Sequence, residues 1–359
     1  MNAKRLLEQV PVDPAAEERA WTVVRAAYAR HEPVRGRRTR RPIAAAVALA
    51  IVVAAAFSPP GRAVVDAVRR SIGIGHAAPA LFRLPAPGRL LVSGAGGTWV
   101  VAADGSKRRL GDYREASWSP HGLFVVVARP DELAAVEPGD GGVHWSLARP
   151  SVSLPRWGGS RTDTRVAYLS GGTLRVVGGD GTGDTAVGRA AHVAPAWQPE
   201  RHVLAYAPRG GGVLVLNTDS RAVVARYRVP GAVRALAWSS DGRRLAVATP
   251  RHVLVLSGRE RVALPLGDVR ALAFSGGDRL AVVRSGKVQT LGAEGVQTVL
   301  TVRGALAGLA SSPDGRWLVT SLPGADQWVF LGGRRLQAVS HIARQFGGAV
   351  SLDGWLPGT

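Results

Sequence analysis

The chain is 359 residues long, a length that one large all-β domain and a short appendage can fill. It contains no cysteine, which excludes disulfides, thiol catalysis and thiolate metal sites. Its net charge of +20 is carried almost wholly by arginine. Beyond the N-terminus the arginines are scattered at turns and between apolar residues, and no basic stretch is interleaved with aromatic residues, so a nucleic acid is not the expected partner.

The first predicted element is a helix over residues 14–30. Asp13 supplies a side-chain acceptor at the N-cap, and Pro14 suits the first helical position. Residues 1–42 offer little core, so the apolar face of this helix either packs against nearby leucines, lies on the membrane surface, or binds a cytoplasmic protein. The last use would make three residues of that face the candidate partner-binding residues, namely Trp21, Val24 and Tyr28.

A membrane-spanning segment is predicted at Ile43–Phe57, fifteen residues without a charged or polar side chain. The segment is shorter than the roughly 20 residues that usually span a bilayer core. Five arginines between residues 35 and 41 precede it and indicate a cytoplasmic N-terminus. Small residues at 54–56 would allow a cleaved signal peptide, but the preceding segment is long for one. We expect an uncleaved signal anchor that contacts the lipid bilayer through residues 43–57.

The chain is therefore divided into four parts. Residues 1–42 form a cytoplasmic helical segment, and residues 43–60 form the signal anchor. Apolar spacing predicts a juxtamembrane helix and linker over 61–78. Residues 79–359 form an extracytoplasmic domain.

Internal repetition is the strongest signal in the last part. An anchor residue, often tryptophan, is followed by a turn with glycine and then by an apolar run, as in Trp238-Ser239-Ser240-Asp241-Gly242 before Leu245-Ala246-Val247-Ala248. The anchors are Leu84, Trp118, Trp157, Trp197, Trp238, Phe274, Ser311 and Val350.

The spacing of about 40 residues matches one four-stranded propeller blade, because the apolar runs are short, β-branched and bounded by turns. Asp-Gly pairs supply the positive φ that tight hairpins need, and they occur at Asp104, Asp180, Asp241 and Asp314. The fold class is thus an all-β propeller with an N-terminal helical segment and one transmembrane helix.

Over residues 84–355 the chain resembles the TolB-like propeller repeat, a WD-repeat-like family with a W-S-P-D-G motif in its blades. The resemblance implies protein interaction rather than catalysis. The sequence departs from the motif at 158–164, which replace the tight turn, and at Ser311, which has lost the aromatic residue.

Seven intervals between anchors predict seven blades, with six blades and an irregular terminal segment as the alternative. If the first blade begins near Arg89, residues 348–352 can supply its missing inner strand and close the ring. Closure of this kind protects the sheet edges.

No catalytic or metal site is recognisable, and we expect neither an enzyme nor a cofactor. The anchor tryptophans are expected to be core contacts between blades. The histidines have no paired spacing, no G-x-S-x-G motif occurs, and the glycine clusters at 94–97 and 178–181 are read as hairpin turns.

Three functions follow from this organisation. The first is a non-catalytic protein- or ligand-binding or scaffolding module at the membrane, with a protein or peptide on the propeller. The second is a transmembrane signalling protein with the layout of an anti-sigma factor, whose residues 1–42 bind a cytoplasmic regulator. The third is a hydrolytic enzyme with an unrecognised axial site.

Overall fold

The structure, a computed structural model, describes residues 83–160, 162–276, 279–292 and 295–357. The predicted N-terminal helix, the segment Ile43–Phe57 and the juxtamembrane helix lie outside these residues. Within the described ranges, no helix has both the length and the apolar character needed to cross a membrane.

The first half of the propeller contains three strands of blade 1, two complete sets of four strands, and the first three strands of the next set. In chain order they are β1 (Arg89–Gly94), β2 (Gly97–Ala102), β3 (Lys107–Gly111), β4 (Glu115–Trp118), β5 (Val125–Arg129), β6 (Glu132–Val136), β7 (Val143–Ala148), β8 (Val152–Gly159), β9 (Thr164–Ser170), β10 (Thr173–Gly178), β11 (Thr185–Arg189), β12 (Ala196–Trp197), β13 (Val203–Tyr206) and β14 (Val213–Asn217).

The second half continues the pattern and adds one short helix. Its elements are β15 (Val223–Tyr227), β16 (Ala235–Trp238), β17 (Leu245–Ala248), β18 (Val253–Ser257), β19 (Glu260–Leu264), β20 (Val269–Ser275), β21 (Arg279–Arg284), β22 (Lys287–Gly292), β23 (Gly295–Thr301), β24 (Ala307–Ser311), β25 (Leu318–Leu322), a 3-10 turn (Pro323–Ala325), β26 (Gln327–Gly332), β27 (Arg335–Ser340), α1 (Ile342–Phe346) and β28 (Val350–Leu356).

These strands form seven four-stranded antiparallel sheets, which confirms the seven-bladed propeller. Blades 2 to 7 each use four consecutive strands, beginning with β4, β8, β12, β16, β20 and β24. The first strands lie side by side in a closed cycle that β28 completes between β24 and β4. We call the strands of each blade A to D from this inner ring outward.

Blade 1 is closed by the C-terminal strand, in the order β28-β1-β2-β3. The predicted closing strand is confirmed, and it extends to Leu356, which pairs with Arg89. Two of the assigned anchors were misplaced. Leu84 lies before β1 and outside any strand, and Val350 begins β28, whereas the six anchors from Trp118 to Ser311 stand at or near the end of their strands. Leu356 is the equivalent position, since Trp118 pairs with Val125 in the same way in blade 2.

The burial of each strand explains which residue types it contains. The B and C strands lie between neighbouring blades and are apolar on both faces, as in β17, where all four residues are buried. The D strands form the rim, and β19 and β23 are exposed along almost their whole length. Each described sheet therefore has one edge strand at this rim and the other, its A strand, beside the central channel.

The anchor tryptophans join one blade to the next, as expected of core contacts. The indole Nε1 of Trp197 donates to the carbonyl of Arg156 at 2.9 Å, and that of Trp238 donates to the carbonyl of Ala196 at 3.1 Å. Trp118 and Trp157 are buried, while Trp197 and Trp238 are half-buried.

Both departures from the repeat motif have a structural explanation. A Cβ atom on Gly158 would lie 2.1 Å from the indole of Trp197, so only glycine allows this close approach. At Ser311, the second departure, the turn is kept although the aromatic residue is missing. Ser312 Oγ donates to Asp314 Oδ1 at 2.5 Å, as Ser239 Oγ donates to Asp241 Oδ1 at 2.6 Å.

Candidate functional site

The two ends of the ring differ, and the candidate site lies at one of them. We call the end that carries the turns after the A and C strands the AB face, and the end that carries the loops after the B and D strands the BC face. The chain enters the ring at the AB face, where the amide of Leu84 donates to the carbonyl of Ala103 in a turn after a C strand.

Three arginines occupy equivalent positions at the inner edge of the BC face. Arg114, Arg234 and Arg270 each stand four residues before an aromatic anchor, namely Trp118, Trp238 and Phe274. The backbone amides of Arg114 and Arg234 donate to the carbonyls of Ala128 and Ala248, at matching ends of two B strands. Equivalent positions on inner strands surround the axis, so these mouth arginines stand around the opening of the central channel, in blades 2, 5 and 6.

The mouth arginines are exposed and unpaired. All three side chains are exposed to solvent. None of them forms an ion pair or a side-chain hydrogen bond with any residue that the structure describes. The neighbouring carboxylate of Glu115 is engaged elsewhere, because its Oε2 accepts a hydrogen bond from the amide of Leu154. Each guanidinium group therefore keeps its planar set of donors available.

The positive charge extends over the BC face of blades 4 to 6. Across the described loops and strand ends of this sector, the only carboxylate is Asp268, and it accepts a hydrogen bond from the Ser285 hydroxyl. The additional cations there are Arg209, Arg228, Arg251, Arg284, Lys287 and Arg303. A charge imbalance of this kind attracts anionic partners.

The central channel contains a cavity of about 440 Å³, lined mainly by small and apolar residues of the inner strands. Arg234 belongs to its lining, together with Arg156 and Asp353. Asp353 is the extra residue of a β-bulge in β28, since Leu91 pairs with Gly354 and Val92 with Leu352. The bulge directs this carboxylate into the channel.

Burial raises the pKa of Asp353 to about 7; the nearby Ser93 hydroxyl and the positive charge of Arg156 partly offset this shift, and the negative charge of Glu115 increases it. Its Oδ2 atom is buried and accepts no hydrogen bond from the part of the chain that is described. Near neutral pH this carboxyl group is only partly ionised, so Arg234 and Arg156 dominate the charge of the channel.

A second, more polar cleft of about 550 Å³ lies on the AB face between blades 3 and 4. Three of its five charged groups form ion pairs with one another. Arg165 contacts Asp163 and lies 3.6 Å from Asp219. At its margin, His202 Nδ1 is 2.6 Å from an oxygen of Asp219, and Nε2 is 2.7 Å from the carbonyl of Asp163. Burial lowers the pKa of His202, but these two partners outweigh that effect and raise it. The cleft offers fewer free charges than the channel mouth.

A third charged cluster holds blades 2 and 3 together. The carboxylate of Asp184 accepts hydrogen bonds from Arg149, Arg175 and the hydroxyl of Tyr168, at 2.9, 2.7 and 2.8 Å. Burial, followed by the Asp184 carboxylate, raises the pKa of Tyr168 to about 12. All four groups are satisfied within the cluster, which makes it a structural contact.

No metal centre assembles within the described ranges. They contain no cluster of three or more histidine or acidic side chains placed to hold a metal ion. His144 stacks on Phe124 with ring centroids 4.8 Å apart. The candidate partner-binding residues Trp21, Val24 and Tyr28 lie outside the described residues, so they stay a prediction.

Comparisons with known proteins identify the fold and no family. No protein-family model matches the sequence, and no curated protein sequence matches it. Among solved structures, the chain is similar to the β-propeller domain of Cps50 (Swd1) from Myceliophteria thermophila, with a TM-score of 0.52, 13% identity, and coverage of 64% of this chain and 86% of that one. Hydrazine synthase from Kuenenia stuttgartiensis matches with a TM-score of 0.49, 15% identity, and coverage of 61% and 76%.

Sequence reasoning identified the anchors and missed the arginines before them. The signal was present, because the runs Arg114–Trp118, Arg234–Trp238 and Arg270–Phe274 all begin with arginine and end in an aromatic anchor. Read singly, each arginine looked like a scattered surface charge. Only the ring shows that the three positions surround one opening.

Proposed function

We propose that the chain is a membrane-anchored, non-catalytic binding module, which holds a partner protein or peptide at the BC face of an extracytoplasmic propeller. The observation that carries this proposal is the set of unpaired mouth arginines on an inner ring that is closed throughout. Unpaired guanidinium groups at the opening of a rigid ring are suited to recognition, because a rigid scaffold loses little conformational entropy on binding.

The path of the chain agrees with this arrangement. The sequence before residue 83, which includes the predicted anchor, reaches the ring at the AB face. The BC face is at the opposite end of the ring. The basic residues before Ile43 support an orientation with the propeller outside the cytoplasm.

Placement is tested with reporter fusions. An export-dependent alkaline phosphatase fused after Thr359 is expected to be active in intact cells. Replacement of Arg37, Arg38, Arg40 and Arg41 by neutral residues should reduce that activity, because the charge asymmetry sets the orientation. Activity only from a reporter that requires the cytoplasm would overturn the extracytoplasmic placement.

Binding is tested with a photo-reactive amino acid at one exposed position on each face. Ala232 lies in the loop before β16 on the BC face, and Glu137 lies in the turn after β6 on the AB face. In membranes of cells that make the protein, illumination should produce a discrete adduct from position 232 and none from position 137. Absence of an adduct at 232, or equal adducts at both positions, would contradict a binding module that uses the BC face.

A further inference from the structure

We propose that the channel mouth recognises an acidic polypeptide segment, whose carboxylates contact Arg114, Arg234 and Arg270. This inference rests on the proposed function and specifies the chemistry of the partner. It is carried by the equivalent positions of the three arginines, their exposure, and the absence of an ion pair for any of them among the described residues.

The guanidinium groups determine the charge of the partner and the geometry with which it binds. Each carries five N–H donors in a plane and binds a carboxylate through two parallel hydrogen bonds. Three such groups around one opening match several carboxylates spaced along a flexible chain. The cations of the surrounding sector would attract such a segment over a longer range.

The cavity below the mouth favours a polypeptide. A volume of about 440 Å³ accommodates a few side chains and is far smaller than a nucleic-acid helix. Arg234 belongs to the lining of this cavity, and Arg156 provides a second cation among small and apolar residues. An acidic segment could therefore place one carboxylate inside the channel and others on the mouth arginines.

A single-stranded nucleic acid is the competing polyanion, and the face lacks the features that it needs. Such strands bind through aromatic side chains on which the bases stack, along with positive charge. In blades 4 to 6, the described loops of the BC face contain no tryptophan, tyrosine or phenylalanine, and the tyrosines at its strand ends are buried (Tyr206) or half-buried (Tyr227). This sector supplies charge without stacking surfaces.

The test measures binding of fluorescent probes to the full chain in non-ionic detergent. The probes are a glutamate-glycine peptide of twelve residues, a glutamine-glycine peptide of equal length, and a single-stranded oligothymidylate. The mouth variant is Arg114→Ala, Arg234→Ala, Arg270→Ala. Its matched control is Arg201→Ala, Arg243→Ala, Arg316→Ala, which removes the same charge from exposed positions in AB-face turns.

We expect the unmodified chain to bind the glutamate peptide and not the glutamine peptide. The mouth variant should weaken that binding by about tenfold or more, as expected for the loss of three exposed ion pairs. The control should change it by about threefold at most, because its charges are distant and screened. Equal thermal unfolding of both variants would show that the fold is intact.

Other results would overturn the inference. The first is an equal loss of affinity for the glutamate peptide in the mouth variant and in the control. The second is no binding of the glutamate peptide. The third is that oligothymidylate binds more tightly than the glutamate peptide and that the mouth variant abolishes this binding. Adduct formation at position 232 without preference for the acidic probe would overturn this inference and leave the proposed function in place. Probe binding at the mouth without any partner adduct would overturn the proposed function and leave the preference for an acidic segment in place.

Discussion

Closure of the ring can be tested with one substitution on the closing strand. Trp355 lies on β28 and is 4% exposed. Its ring meets that of Phe330 on β26 of blade 7 edge to face, with centroids 5.8 Å apart. The indole thus joins blade 1 to blade 7. The indole Nε1 is buried without a hydrogen-bond partner, so its removal costs no hydrogen bond within the described structure.

Replacement of Trp355 by alanine should lower the free energy of unfolding by about 3 kcal/mol. Truncation of buried tryptophan costs roughly 3–5 kcal/mol, and the lower value applies here because no hydrogen bond is lost. For a domain of this size, the change corresponds to a decrease in Tm of roughly 6–12 °C. Equilibrium unfolding in urea, followed by circular dichroism of the full chain in detergent, measures the change directly.

Trp355→Phe is the matched control. Phenylalanine keeps an aromatic edge against Phe330 and should cost less than about 1.5 kcal/mol. A loss below about 1 kcal/mol in Trp355→Ala would refute the reasoning, because a packed closing strand should not tolerate that cavity. Equal losses in both variants would also refute it, since the contact would then depend on something other than an aromatic ring.

Two further substitutions test other contacts of the ring. Trp238→Ala should cost about 2–3 kcal/mol, less than full burial would give, because the indole is half-buried but also donates to the carbonyl of Ala196 across two blades. Asp353→Asn should remove a loss of stability that occurs as the pH rises from about 4 to about 7. The folded pKa of about 7 lies above the unfolded value of about 3.9, so ionisation in this window disfavours the fold, by roughly 2 kcal/mol when the full shift is discounted for solvent screening at the open channel.

A specific outcome would contradict each of these two predictions. If Trp238→Ala and Trp238→Phe were equally stable, the interblade packing at this anchor would contribute nothing. If the unfolding free energies of Asp353→Asn and the unmodified chain changed in parallel between about pH 4 and about pH 7, the buried carboxyl group would not be the source of the pH dependence.

Much of the fold could be predicted because its causes are local and repeated. A turn such as Ser239 to Gly242 signals where an A strand ends, and the same signal recurs once per blade. The closing strand was predictable because blade 1 lacks an A strand before Arg89. The anchor at Val350 was misplaced, since the residues at 350–354 resemble a turn motif while β28 continues through them.

The candidate site was less accessible to sequence reasoning because it depends on ring geometry. Arg114 and Arg234 are 120 positions apart in the chain, and only the seven-fold arrangement brings both to one opening. Asp353 was hidden for a different reason. A bulge in β28 directs its side chain into the channel, and pairing register is invisible in a single sequence.

The measurement that tests the central claim most directly combines the photo-reactive residue at position 232 with the arginine variants. In membranes, the partner adduct should disappear when Arg114, Arg234 and Arg270 are replaced by alanine, and it should persist when Arg201, Arg243 and Arg316 are replaced. Persistence of the adduct in the mouth variant, with its fold intact, would show that the partner does not depend on the mouth arginines and would contradict the account.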